Sequence, residues 1–489
     1  MKTKTLLISL NIFLLTAAFL LPTFTFAQFT KLLDFDGVAN GSWPNESALI
    51  SDGTFLYGVT YSGGTSPYTT GVVTGCGTVY KIKPDGTGFS KLLDFAGVNG
   101  KWPLGSLFSD STYLYGTTVY GGTNDSGIVF KIKTDGTEYS NLLDFAGPSN
   151  GSRPSGSFIS DGTFLFGTTR TGGTTSNGTI YKIKHDGTGY TKLFDFSGTN
   201  GSQPNGSLLF DGNFLYGMTR SGGTNNLGTI FKIKTDGTGY SKLLDFSGVA
   251  NGSEPYSSII SDGTFLYGTT RLGGTGSCTT SGCGTIFKIK PDGSSYSKIL
   301  DFIGTNGKVP RGDLIYDGTF LYGTAPNGGT ATKGVLFKIK HDGKEYSKLY
   351  DFTGSPNSTN PYGSLISDGT FLYGTSGLGG ANNLRTIFKF KDTTKTTAVA
   401  ENHAESGFTI YPNPATSILH IEATSPNEAA TIVGYNTLGE KVFTTEKTPL
   451  SLRTEVGGEV NVSFLPTGMY FLNLTTQEGK IIMKKLVKE

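Results

Sequence analysis

One short motif governs what this chain can fold into. Asp-Phe, preceded by Leu or in two copies by Phe194 and Tyr350, recurs with its carboxylate at Asp34, Asp94, Asp144, Asp195, Asp245, Asp301 and Asp351. The intervals are 60, 50, 51, 50, 56 and 50 residues. Self-similarity at such a period marks a supersecondary unit that cannot bury its apolar faces alone, so neighbouring units must stack to make a core. Seven copies also act as an internal control. Residues present in every copy belong to the architecture, and function is to be sought at positions that differ.

Within one unit, such as 207–246, four short runs rich in Ile, Phe, Tyr, Leu and Thr are separated by Gly and Asp-Gly turns. This predicts a four-stranded antiparallel meander, because two-residue hairpin turns of the favoured hand need positive φ at their centre. Asp-Gly recurs at Asp85, Asp135, Asp186, Asp236, Asp292 and Asp342, and again at Asp52, Asp161, Asp211, Asp262, Asp317 and Asp368, with Asp110-Ser111 the exception. Gly is 72 of 489 residues, twice the usual share of about 7%, but at fixed offsets, as turn chemistry requires.

The fold class expected is all-β: a seven-bladed β-propeller over 28–391, then a small β-sandwich. Phe29 to Phe35 reads as a fourth strand with no preceding three, and Thr386 to Phe390 as a third strand with no fourth. Pairing them would complete the last blade and remove both open edges, which a linear solenoid would leave unpaired. The Thr-rich stretch 392–406 reads as a linker and 407–489 as the second domain.

The start of the chain, with Lys2 and Lys4 before an apolar run from Leu6 to Leu21, reads as a secretory signal peptide over 1–27, cleaved between Ala27 and Gln28. The run is too short to span a bilayer, and no transmembrane segment is expected in the mature chain. Without Lys2 and Lys4 the chain carries 38 basic and 38 acidic residues, so bulk charge recruits no nucleic acid. Of three cysteines, Cys278 and Cys283 are spaced for a local disulfide, while Cys76 stands at the repeat position of Cys283 without a local partner.

The repeat's Gly-Gly-Thr, Gly-Thr-Ile-Phe-Lys-Ile, Asp-Gly-Thr and Leu-Tyr-Gly-Thr-Thr elements resemble the tandem GloVer repeat of exported bacterial proteins, a family that brings no assigned chemistry. It covers about three quarters of the chain, with Arg385 in the last unit replacing the usual Gly. The tail resembles the type A C-terminal sorting domain of the type IX secretion system. Its opening motif runs through Tyr411, Pro412, Asn413 and Pro414, its middle contains Gly439, and its late strand contains Gly468. That resemblance implies the type IX machinery as a partner and a secreted or surface-attached product.

Two sets of free positions remain. The x of Asn-Gly-Ser-x-Pro and its variants is Trp43, Trp102, Arg153, Gln203, Glu254, Val309 and Asn360; two residues before Gly-Gly stand Tyr61, Val119, Arg170, Arg220, Arg271, Pro326 and Gly377. The only two Trp residues thus share one repeat position in adjacent units, suited to stacking on sugar rings. The arginines form an arc suited to carboxylate or sulfate. An extracellular glycan is therefore the expected partner, bound by Trp43, Trp102, Tyr61, Arg153, Arg170, Arg220 and Arg271. The Asp of the repeat is expected to accept turn hydrogen bonds rather than to hold calcium. No metal cluster, nucleophile elbow or phosphate loop is visible, so neither a metal nor a cofactor is expected and the chain reads as non-enzymatic. Two competing readings are an adhesive surface protein without a small ligand, and a polysaccharide hydrolase or lyase built on Glu254 and Asp313, acids at otherwise non-acidic repeat positions.

Overall fold

The structure is a computed structural model, and it describes residues 29–44, 47–70, 73–278, 280–354, 358–381, 384–393, 408–411, 415–423, 429–436, 441–445, 448–449, 458–466, 468–476 and 481–488. The signal segment with Ala27 and Gln28, most of the linker, and Pro412, Asn413, Pro414 and Gly439 lie outside the described residues. Contacts divide the chain into two units, Met1–Asp392 and Thr393–Glu489.

The first unit is all-β and propeller-like, with a four-strand antiparallel path repeated in seven sheets among the described residues. Sheet four shows the pattern. Ser202–Pro204 and Leu209–Phe210 are two halves of one inner strand, both paired with Phe214–Ser221, which pairs with Thr229–Lys234 and then Ser241–Asp245. Sheets one, two, three, five and six lie within 50–94, 101–144, 152–195, 253–301 and 315–351. Sheet seven joins Ile366–Ser367, Leu372–Thr375 and Thr386–Phe390 to the N-terminal strand Phe29–Asp34.

Each pair of successive sheets shares a core. The one between sheets four and five contains Tyr216, Ile230 and Phe246 with Leu266, Phe287 and Ile289. A like cluster joins Tyr373 and Ile387 of sheet seven to Leu56, Tyr80 and Ile82 of sheet one. Burial on both faces explains why second and third strands do not alternate in polarity: Leu215 to Thr219 are all buried.

The recurring Asp-Phe is scaffold. Each Phe is fully buried. The carboxylates accept from the Gly-Gly-Thr loop of the same sheet, as when Asp245 takes Thr224 N at 3.0 Å and Thr224 Oγ1 at 2.9 Å. Asp34 does the same for Ala381 N at 3.2 Å, across 347 residues of chain. The Asp of the first turn binds backbone N–H groups and the second-strand tyrosine, as in Asp211 with Phe214 N and Tyr216 Oη.

A lysine on the third strand reaches the adjoining sheet. Lys81 Nζ donates to Thr134 O, Lys182 to Thr235 O, Lys232 to Pro291 O, and Lys389 of sheet seven to Pro84 O of sheet one. Sheet seven has no third-to-fourth hairpin to offer Lys338, and Asp392 replaces it, its carboxylate 2.8 Å from Lys338 Nζ with both groups buried. Asp392, read from sequence as the first linker residue, is thus held by the first unit.

The second unit contains a three-stranded sheet, Phe408–Tyr411, Ile418–Ala423 and Gly458–Asn461, and a five-stranded one that includes Ala429–Asn436, Gly468–Thr476 and Ile481–Lys488. Leu419, Ile421, Ile432, Leu472 and Leu486 share one core between them.

Candidate functional site

The loop leaving each fourth strand meets the second-to-third loop of the next sheet, as in Gly223 N to Gly198 O at 2.8 Å. Next to that junction lies the outer half of the inner strand, which carries the x position. Its register with the second strand makes the two free sets one. Ser253 pairs with Leu272 and Pro255 with Thr270, which sets Glu254 opposite Arg271. Likewise Arg153 faces Arg170, Gln203 faces Arg220, and Trp102 faces Val119.

All seven x residues have left-handed backbone, with φ between 50° and 60°. This is uncommon for residues other than Gly, and costliest for bulky or β-branched ones such as Val309. The cause is a tie between sheets. The x amide turns toward the preceding sheet, where Trp102 N donates to Cys76 O at 2.7 Å, Gln203 N to Asn177 O at 2.8 Å and Glu254 N to Leu227 O at 2.9 Å. The side chains vary while the strained backbone does not.

In sheets one and two the variable positions and their neighbours build an aromatic row. Tyr61 stacks against both indoles, with ring centroids 6.4 Å from Trp43 and 5.4 Å from Trp102 and planes tilted by 21° and 20°. Each indole therefore gives one face to Tyr61, and the two do not present separate open platforms. Tyr68 and Tyr120 meet Trp102 edge-on at 5.9 and 5.2 Å. Lys101 Nζ lies over Tyr68, Trp102 and Tyr120, and its ion pair with Asp125 is 2.9 Å long. Burial acts to lower the Lys101 pKa, but Asp125 outweighs it and leaves the ammonium stabilised.

Cations bound the row at both ends. Arg153 sits over Tyr120 at 5.0 Å and Arg385 over Trp43 at 4.6 Å. Arg385 is buried, at φ 87°, where the other units have Gly. At the matching Gly228, a Cβ would lie 2.4 Å from Thr219 O and 2.7 Å from Pro255 Cδ, so an Arg here carries a steric cost. Sequence reading marked Arg385 only as a departure. Its neighbour Trp43 is far along the chain.

In sheets four and five the face is charged. Glu254 accepts from Arg271 Nη1 at 2.7 Å and from Arg220 Nη2 of the preceding sheet at 3.4 Å. The arc is therefore partly neutralised by its own acid.

Between the halves of the inner strand a second row of repeat positions converges. Ala48 N donates to Ser106 Oγ, Ser157 N to Ser207 Oγ, Ser207 N to Ser258 Oγ, Ser258 N to Asp313 Oδ1, and Asp313 N to Ser364 Oγ, at 2.6 to 2.9 Å. Asp313 thus fills a serine's place. Burial raises its carboxyl above the ordinary range, against the opposing bonds from Ser258 and Ser364. Four of these serines with Arg311 and Asp313 line a cavity of only about 40 Å³. Arg311 is held over Tyr256 and Tyr362, at 5.3 and 5.1 Å.

Cys278 and Cys283 form a disulfide with Cα atoms 5.3 Å apart, and Cys76 is a buried thiol. Tyr411 ends the strand Phe408–Tyr411 and Gly468 begins Gly468–Thr476. Among the described residues no cluster of His, Cys, Asp and Glu suits a metal ion, and no helix is long and apolar enough to cross a membrane.

Solved structures share the architecture at low identity. An oligogalacturonate lyase in complex with manganese matches at 13% identity and TM-score 0.50, covering 74% of this chain and 92% of that one. A fungal alcohol oxidase of the AA5 family, in complex with copper, matches at 13% and 0.50, covering 91% and 98%. The oligogalacturonate lyase of Vibrio parahaemolyticus gives 12% and 0.49, covering 74% and 93%. The two at 0.50 are likenesses of fold, which hosts unrelated chemistries. A search of curated proteins matched nothing. The secretion system C-terminal sorting domain family matches residues 409–489, which marks the chain for export and surface attachment or release. The Gloeobacter/Verrucomicrobia repeat family matches residues 21–164, 68–281, 135–319 and 279–420, and with its repeats running through most of the sequence the chain belongs to that family.

Proposed function

We propose that this chain is an exported, non-enzymatic carbohydrate-binding protein. Its seven sheets close into a seven-bladed propeller whose variable rim takes an extracellular glycan. Ring closure is supported by the cluster joining sheets seven and one and by the Lys389 bond to Pro84. The binding reading rests on one observation above the rest: seven facing pairs of variable residues, the x member of each on strained left-handed backbone. Strain of about 1–3 kcal/mol per residue that is held in every unit while the side chains change suits a display surface.

The aromatic row supplies apolar area and the arginines supply donors, a combination suited to sugars. The two unusual acids are otherwise engaged. Glu254 is ion-paired to Arg271 and Arg220, and Asp313 accepts from Ser258 N. That favours binding over acid-base hydrolysis.

A glycan array probed with the full chain and with the Trp43→Ala/Trp102→Ala double variant tests this. Removing two rings, each contributing about 1 kcal/mol, should weaken binding at least about tenfold. Unchanged affinity would remove the aromatic row from the site, and an array without any bound glycan would favour an adhesive role.

A further inference from the structure

The facing pair of sheet three differs from the other six. Arg153 and Arg170 set two like charges opposite one another, an arrangement that destabilises a sheet unless something neutralises it. Among the described residues neither guanidinium is in a salt bridge, Arg153 lying over the Tyr120 ring instead, and the next x position is the neutral Gln203. Beside Arg153 lies an open depression of about 340 Å³, also lined by Ser152, Thr171, Gly172 and Ser176, while Arg170, the residue before Thr171, stands outside that lining. It has room for a sugar unit and offers hydroxyl and backbone groups to hold one.

Two sheets further on, the chain displays the missing partner. There the x residue is itself the acid: Glu254 places its carboxylate against the facing Arg271 Nη1 at 2.7 Å and against Arg220 Nη2 of the preceding sheet at 3.4 Å. The rim thus accepts a carboxylate from a neighbouring side chain where the x residue supplies one, and at Arg153 the x residue supplies a second cation instead.

Resting on the carbohydrate-binding reading, we infer that Arg153 and Arg170 form a subsite for the carboxylate of a uronic acid unit, so that the ligand is an acidic rather than a neutral polysaccharide. Guanidinium forks match carboxylate geometry, and charge-assisted bonds are roughly twice as strong as neutral ones. Glu254 limits the site at its other side by offsetting one of the two charges of Arg220 and Arg271.

The test is calorimetric binding of the full chain to oligomers of alginate, galacturonate and hyaluronan, each beside its carboxyl-reduced counterpart, with dextran sulfate as a further arm. Work at about 0.15 M ionic strength screens loose electrostatic attraction beyond about 8 Å. At least one uronate should bind about tenfold or more tighter than its reduced form. The Arg153→Gln/Arg170→Gln variant should lose that preference while keeping affinity for the reduced oligomer. Glu254→Gln should tighten uronate binding by freeing Arg220 and Arg271, a gain that misfolding cannot imitate. Equal binding of every uronate and its reduced form overturns the inference and leaves the carbohydrate reading standing. So does dextran sulfate binding as tightly as the best uronate, since that is general polyanion attraction. Binding of no oligomer at all overturns both.

Discussion

Arg385 stands where the architecture asks for glycine, and at φ 87° its backbone carries a cost of about 1–3 kcal/mol. What it gains is a guanidinium over Trp43. Arg385→Gly should therefore raise the unfolding free energy by about 1 kcal/mol in urea titration and weaken glycan binding in the same preparation. A less stable variant would show that the contacts of the guanidinium outweigh the strain. Which residues differ between repeats was readable from sequence, and the seven Asp and Phe residues could be set aside as scaffold on that basis. That Trp102 and Val119 face each other was not, because the facing is set by strand register. The left-handed backbone at Trp43 or Val309 was equally hidden, since nothing in such side chains announces positive φ.

The inner strand shows the same division at the level of the element. Four runs per repeat, with Asp-Gly turns, were legible because local turn chemistry fixes them. The break of the first run into two halves, with a serine of sheets two, four, five and seven accepting from the backbone of the sheet before, was not. Asp313, an acid that looked like chemistry in the sequence, is a substitute in that serine row. Its carboxyl titrates higher in the folded than in the unfolded chain because it is buried. The two states are then equally protonated in strong acid, and the burden on the fold grows as pH rises through the carboxylate range and is complete above the folded value. Asp313→Ser should accordingly be more stable than the parent at neutral pH, with the gap closing as pH falls. Urea midpoints measured across the acid-to-neutral range would contradict this if the gap were constant.

For the whole molecule, the bond between Lys338 and Asp392 does for sheet seven what hairpin carbonyls do elsewhere. Breaking a buried pair strands a charge, at about 3–5 kcal/mol, so Asp392→Ala should lower the thermal midpoint sharply and Lys338→Met/Asp392→Leu should recover much of the loss. If the single variant melts like the parent, the pair holds nothing together. The sequence predicted that a stray first strand and an incomplete last unit belong together; it could not show where the body ends, because a lone Asp after Lys391 gives no local sign of a buried partner. The pairing of Phe29–Asp34 with Thr386–Phe390 has a temporal consequence. The two halves of this seam are the first and last pieces of the repeat region to leave a ribosome or a secretion pore. Until the final strand emerges, the earliest one has no partner, and joining them through an unstructured chain of some 350 residues would cost about 5 kcal/mol in loop closure. Stacking the intervening sheets first brings the ends together and removes most of that cost, so the last fastening is made only when every repeat has crossed.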